Sequence, residues 1–154
     1  MTDRLDRIAR KWEGTPFLAG SRVPGPMGGV DCVQLTLALL EEVGALPAGL
    51  PRPRGYPVDY TMHQEGSLIL DYVREVLAGR VVELPFRAEL LEVGDVVGFR
   101  VGRGVNHLGT LVRTGQIMHA IKPIGVQVLH VSSLDFYEEK YHVHPHIILR
   151  PNHV

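Results

Sequence analysis

Cys32 is the only cysteine in the 154-residue chain. It stands in the stretch "GGVDCVQLTLALLEEVG", after two glycines and an aspartate and before an apolar run with helical spacing. A thiol at a helix start meets the positive end of the helix dipole, which favours thiolate and lowers the pKa. The free backbone N–H groups of the first helical turn can also hold an oxyanion. A lone cysteine packs equally well as a small hydrophobe, however. Nucleophilic chemistry therefore needs a base beside it, and the histidines decide.

His107 opens the strand-like stretch "NHLGTLV", and His119 lies in "QIMHAI". Between them stands "RTG". A three-residue hairpin loop over 113–115, with Gly115 left-handed, pairs Val112 with Gln116. His119 then falls opposite Gly109, and His107 lies two residues away on the same face. In this register Gly109 leaves space for His119. A simple two-residue turn would put the imidazoles on opposite faces. Cys, His and a polar group that orients the His is the arrangement of an activated nucleophile. Two histidines on one face of a hairpin also serve as half of a metal site, and a single strand histidine is often only structural.

The positioning elements follow from periodicity. "DRLDRIARKW" places Leu5, Ile8, Ala9 and Trp12 at helical spacing and predicts a helix over 2–13. The glycine- and proline-rich 13–30 is a loop, with the glycines before Asp31 leaving room for substrate beside the thiol. A helix over 32–43 takes Asp31 as its N-cap, Gln34 as the capping-box partner and Gly44 as its stop. Residues 45–60, with four prolines, read as a long ordered surface loop. A third helix is expected over 64–79. After Pro85 the chain turns to short β-rich runs: "GDVVGFRV", "NHLGTLV", "QIMHAI", "VQVLHV" and "HPHIILR". Helices first and strands second make an α+β domain, with helices packed on a small antiparallel sheet. The whole chain, 1–154, is expected to be one domain.

Composition narrows the function classes. Hydrophobic residues at 45% and charged residues at 21% suit a globular domain with a real core. A net charge of −1 offers no broad field for nucleic acid or an anionic membrane. One cysteine excludes a disulfide framework within the chain and any multi-cysteine zinc site. The N-terminal "MTDRLDRIARKW" has no apolar signal core, and no run reaches membrane-spanning length. Synthesis in a cytosol without a signal peptide is the expectation. His142, His144 and His146 fall on one face of an expected extended strand, but such ligands diverge by about 7 Å per step, which disfavours a tetrahedral metal site. His63, His130 and His153 have no partner pattern. Arg52 and Arg54, in "PRPRGYP", are read as a solvated loop, and Asp95 as a turn residue entering a strand.

Four blocks in order, "WEGTPF", "GGVDCVQL", "LEVGDVVGF" and "NHLGTLVRTGQIMHA", resemble the NlpC-type cell-wall cysteine peptidases, a papain-like family. The likeness covers roughly 5–150. It implies a papain-like α+β fold with Cys32 as nucleophile. It implies His107 as base and then acid, and His119 as the residue orienting His107. The implied reaction is hydrolysis of an amide in peptidoglycan stem peptides, with no metal and no cofactor. Two positions depart from the usual pattern. Phe17 stands where many members have tyrosine, and Val33 where many have a substrate-gripping serine, which leaves Asp31 alone to meet the substrate's amine or implies a different substrate. Asp31, Val33 and Phe17 are thus the expected substrate-side positions. The short form is similar to the peptidases of phage tails and tail-like particles, where other particle subunits are the expected partners and the cell wall or periplasm the place of action. Two alternatives keep the thiol: an injected amidase toxin, or an acyltransferase. A third is a tail-tip structural subunit with weak or no activity.

Overall fold

The computed structural model describes residues 2–50 and 68–152. Helix α1 (Thr2–Trp12) is followed by two short strands, β1 (Arg22–Val23) and β2 (Gly29–Val30), and by α2 (Cys32–Val43). Then come α3 (Leu68–Val76), β3 (Val81–Pro85), β4 (Val96–Val101), β5 (Gly104–Arg113), β6 (Gln116–Ile121) and β7 (Gly125–His130). Helix α4 (Leu134–Tyr141) and β8 (Val143–Pro151) complete the order. Strands β3 to β8 form one sheet in the order β3-β8-β4-β5-β6-β7, antiparallel throughout. Among the described residues no helix is long and apolar enough to cross a membrane.

Helix α2 is apolar nearly all round, and ten of its twelve residues are buried. A helix of that kind belongs in the centre of a core. It packs on β5 and β6, with α1 and α3 also against β5. Leu108, Val112, Met118 and Ala120 meet the helices from the sheet. The alternate positions Val97, Phe99, Leu111, Ile117 and Leu129 face the other way and form a second cluster with Leu134 of α4. Alternation of side chains along each strand produces these two faces.

The structure departs from the sequence reading at several elements. The run 81–85, left outside the strand list, is a strand paired with β8. Helix α4 also went unanticipated; its apolar surface is too short to show a clear period. The third helix ends at Val76, and Gly79 sits beyond it in a turn with φ +75° rather than on the helical repeat. Its expected start at 64, the loop 51–60 with Arg52 and Arg54, His63 and His153 lie outside the described residues. His142 caps the C-terminus of α4 in the left-handed region at φ 55°, so only His144 and His146 lie on β8. The expected three-histidine extended run does not form.

Two glycine assignments change as well. A Cβ on Gly29 would stand 2.5 Å from Cβ of Leu18, and one on Gly28 would strike the backbone of Val23. Gly28 makes room for the β1–β2 turn and Gly29 for Leu18 of the preceding loop, where the sequence suggested room for substrate. A Cβ on Gly109 would stand 2.5 Å from Cγ2 of Ile117, so that glycine accommodates Ile117 rather than His119.

Gly125 has the largest mechanical role. Its φ is +100°, and an added Cβ would meet the carbonyl oxygen of Thr15, with Phe17 N at 3.1 Å. The next residue, Val126, donates its N–H to that same Thr15 oxygen at 2.9 Å. This seam holds the Phe17 loop against β7. Gly125→Ala is expected to cost more than about 2 kcal/mol, combining a left-handed backbone penalty with a backbone clash. Chemical denaturation checks this; a loss below 0.5 kcal/mol, the scale of ordinary surface substitutions, would show that the seam yields freely.

Candidate active site

Cys32 is the first residue of α2. Its predecessor Asp31 adopts an extended backbone (φ −108°, ψ 178°) and caps the helix, Oδ1 accepting from Gln34 N at 2.8 Å. Its other oxygen, Oδ2, accepts from Gly20 N at 2.7 Å. The one carboxylate therefore fixes both the helix start and the preceding loop. Gln34 uses its side-chain oxygen on Arg22 Nε at 3.0 Å, and Arg22 also pairs with Glu41 at 2.5 Å. Arg22 thus clamps β1 to the side of α2, a role the sequence reading missed because the partners lie a dozen or more residues apart.

The thiol residue is only 1% exposed. Asp31 and Val33 beside it are buried too, Val33 within the core cluster. The substrate contact expected of Asp31 and Val33 is therefore not presented at the surface in this structure. Val33 packs, and Asp31 anchors backbone. Phe17 is half-buried, bridges to Val30 and lines the cavity described below.

The two histidines come together. His107 Nε2 and His119 Nδ1 lie 2.8 Å apart, and the rings meet edge to face with centroids at 5.1 Å. The register that does this is Thr110↔Met118 and Leu111↔Ile117, which continues to Gly109 opposite His119 as expected. The turn reaching it differs in detail. Arg113 pairs with Gln116 across the two-residue tip Thr114–Gly115, and a shift between Leu111 and Arg113 leaves Val112 as an extra residue. Gly115 is left-handed at φ +75°. The bulge restores the register that a two-residue turn alone would have inverted. Arg113 then ties the hairpin to α1 through Asp6 and to Glu13 in the turn just after it.

Burial sets the charge of the pair. Desolvation lowers the His107 pKa well below its usual value, and the neighbouring His119 lowers it further. His119 is lowered to about 4, also by desolvation. Both rings are therefore neutral near pH 7, the form that can accept a proton. The pair has one hydrogen between its two facing nitrogens. If His107 Nε2–H donates to His119 Nδ1, the lone pair of His107 Nδ1 is free to act as base. His119 then carries its proton on Nε2, a buried nitrogen with no hydrogen-bond partner.

The same desolvation makes stability depend on pH. An unfolded histidine takes up a proton near 6.5, but His119 in the fold does so only near 4. Between those values the unfolded chain binds more protons, so stability falls as pH drops through that window. The share of His119 is roughly 3 kcal/mol. Urea midpoints measured from pH 7.5 down to 4 are expected to fall more steeply for the wild type than for His119→Gln. Parallel curves would mean that the ring is solvated.

His107 and His119 form part of the wall of a cavity of about 590 Å³ on the face covered by α4. Tyr137 and Tyr141 of α4, Asn106 and Lys122 also reach it, and none of these was singled out from sequence. The cluster "DFYEEKY" carried the one available signal, aromatic residues on a charged stretch.

The fold is NlpC-type, papain-like α+β. Two solved structures superpose on nearly all of the chain. NlpC2 from Trichomonas vaginalis does so with a TM-score of 0.59 at 15% identity, over 99% of this chain and 46% of that one. NlpC1 from Trichomonas vaginalis does so with a TM-score of 0.56 at 19% identity, over 97% of this chain and 43% of that one. This chain therefore spans less than half the length of either neighbour. No protein-family model matches the sequence, and no curated protein matches it.

Proposed function

We propose that the protein is a cysteine peptidase or amidase that cleaves an amide in peptidoglycan stem peptides, with Cys32, His107 and His119 as its machinery. The observation that carries this reading is the buried hydrogen bond between His107 Nε2 and His119 Nδ1 at 2.8 Å. The pair is borne on β5 and β6, whose opposite face packs on the helix that Cys32 begins. The NlpC-type fold supports the reaction class.

In the proposed mechanism His107 Nδ1 takes the thiol proton, while its Nε2–H donates to His119 Nδ1 and the new positive charge is shared along that bond. The thiolate attacks the amide carbon, and N–H groups at the start of α2 stabilise the oxyanion. As the tetrahedral intermediate collapses, the C–N bond breaks and His107 protonates the leaving amine. The thioester on Cys32 is then attacked by water, with His107 again the base, releasing acid and free thiol. No metal or cofactor takes part. Asp31 acts in this scheme by setting the helix start.

Mass spectrometry of muropeptides after incubation with purified peptidoglycan tests the reaction and names the bond together. New fragments carrying one added water per cut amide are expected. Intact muropeptides at high enzyme concentration would overturn the reading. The proposed setting is the tail of a phage or a tail-like particle, acting in the cell wall or periplasm. Recovery of the chain within assembled particles tests it. A second reading, a particle subunit with weak or no hydrolysis, is favoured by the 1% exposure of Cys32 and by Phe17, which has no hydroxyl to offer a transition state.

A further inference from the structure

The cavity beside the histidine pair carries more information than the thiol chemistry uses. At about 590 Å³ it has the size of a small-molecule site. It is enclosed by Phe99, Leu129, Tyr137, Tyr141 and Val143, an apolar wall built from β4, β7, α4 and β8. Cys32 is not part of that wall. Among the described residues that line it, Lys122 is the one charged side chain, and no carboxylate is present. Lys122 is exposed, in the turn between β6 and β7, so it lines the cavity at its solvent-facing rim. One wall residue, His119, is 3% exposed and has a nitrogen, Nε2, without a partner. A buried polar atom left unpaired is destabilising, and a ligand's acceptor atom relieves that on binding.

We propose that this cavity binds an apolar carboxylate: a hydrocarbon body against the Tyr137–Leu129 wall, with its anionic end held by Lys122 and an oxygen accepting from His119 Nε2–H. Binding of that oxygen selects the tautomer in which His107 Nδ1 is unprotonated. The ligand therefore completes the base as well as filling the pocket. As a group on the substrate next to the scissile amide, the carboxylate extends the thiol reading above and rests on it. As a binding site it stands independently.

The test uses the full chain with Cys32→Ala, which separates binding from turnover. Octanoate and octylamine, matched in length and opposite in charge, are titrated by calorimetry, and long-range proton–nitrogen spectra report the His119 ring. Octanoate is expected to bind saturably at least tenfold more tightly than octylamine, with the His119 proton moving onto Nε2. Lys122→Glu, a surface change, is expected to reverse the preference. Val143→Phe, which fills part of the cavity, is expected to weaken octanoate at least fivefold in a protein whose melting temperature is checked alongside. Equal binding of both probes, no saturable binding of octanoate, or a preference unmoved by Lys122→Glu overturns the proposal. Those results leave the muropeptide experiment untouched, and intact muropeptides leave a measured octanoate site standing.

Discussion

Cys32→Ala is expected to reduce hydrolysis of purified peptidoglycan by at least about a thousandfold, because no other group in the site can form the covalent acyl intermediate. The thiol is buried at the start of α2, so the substitution also removes one atom from the core. That costs about 1 kcal/mol, small enough for the variant to stay folded at room temperature. The N-cap on Asp31 and its bonds to Gln34 and Gly20 involve no sulfur and persist. Activity and stability thus separate in this variant. The paired measurements are muropeptide release and a urea midpoint on the same preparation. Undiminished release by a folded Cys32→Ala protein would falsify the thiol mechanism. Cys32→Ser is expected to be almost as inactive, since an alcohol is far harder to deprotonate than a thiol and His107 is a weak, desolvated base.

Arg150→Ala is expected to be the most damaging single change to stability among those considered. Asp95 is 1% exposed and immediately precedes β4. Its carboxylate accepts from Arg150 Nε and Nη2, both at 2.9 Å, and from Glu92 N at 2.8 Å. Arg150 Nη2 also donates to Leu90 O at 2.6 Å, so one guanidinium ties β8 to the turn before β4. Hydrogen bonding to Asp95 raises the Arg150 pKa above its already high value, against a desolvation that lowers it. Removing the arginine leaves a buried carboxylate without its counter-charge. The side chain of Arg150 is 26% exposed, so water partly replaces it, and the low end of the range for broken buried pairs applies, about 3 kcal/mol. For a chain of this size the melting temperature falls by about 6–12 °C. Arg150→Lys keeps the charge but not the planar fork, and an intermediate loss is expected. A change under 2 °C for the alanine variant would show that the carboxylate is solvated as readily as any surface aspartate.

The Asp95 pair also shows where reading the chain stops. The sequence placed Asp95 in a turn entering a strand, and the turn is there, with Asp95 N bonded to Glu92 O at 3.0 Å. Its partner lies 55 residues away. Nothing local marks Arg150 for that role, because the adjacency of β4 and β8 is a property of the sheet order. The hairpin shows the opposite case. "RTG" with its left-handed glycine limits the turn geometries to a few, and one of them puts both histidines on the same face, so the register of His107 and His119 was legible. What was not legible was the means: a two-residue tip corrected by a bulge at Val112.

The sequence by itself determined the elements whose signals are local. The cap–helix–stop of Asp31 to Gly44, the strands that alternate and the left-handed Gly115 all follow from side-chain chemistry within a few residues. The tertiary structure alone decided what surrounds the site. It buried Cys32, Asp31 and Val33, set Gly28 against the β1–β2 turn and Gly29 against Leu18, and brought α4 over the sheet so that two histidines face an apolar cavity with Lys122 at its mouth. Burial and solvation depend on every segment that packs against a residue, and those segments come from distant parts of the chain. Spacing along one strand predicts a neighbour's position. It does not predict which other elements exclude water from it.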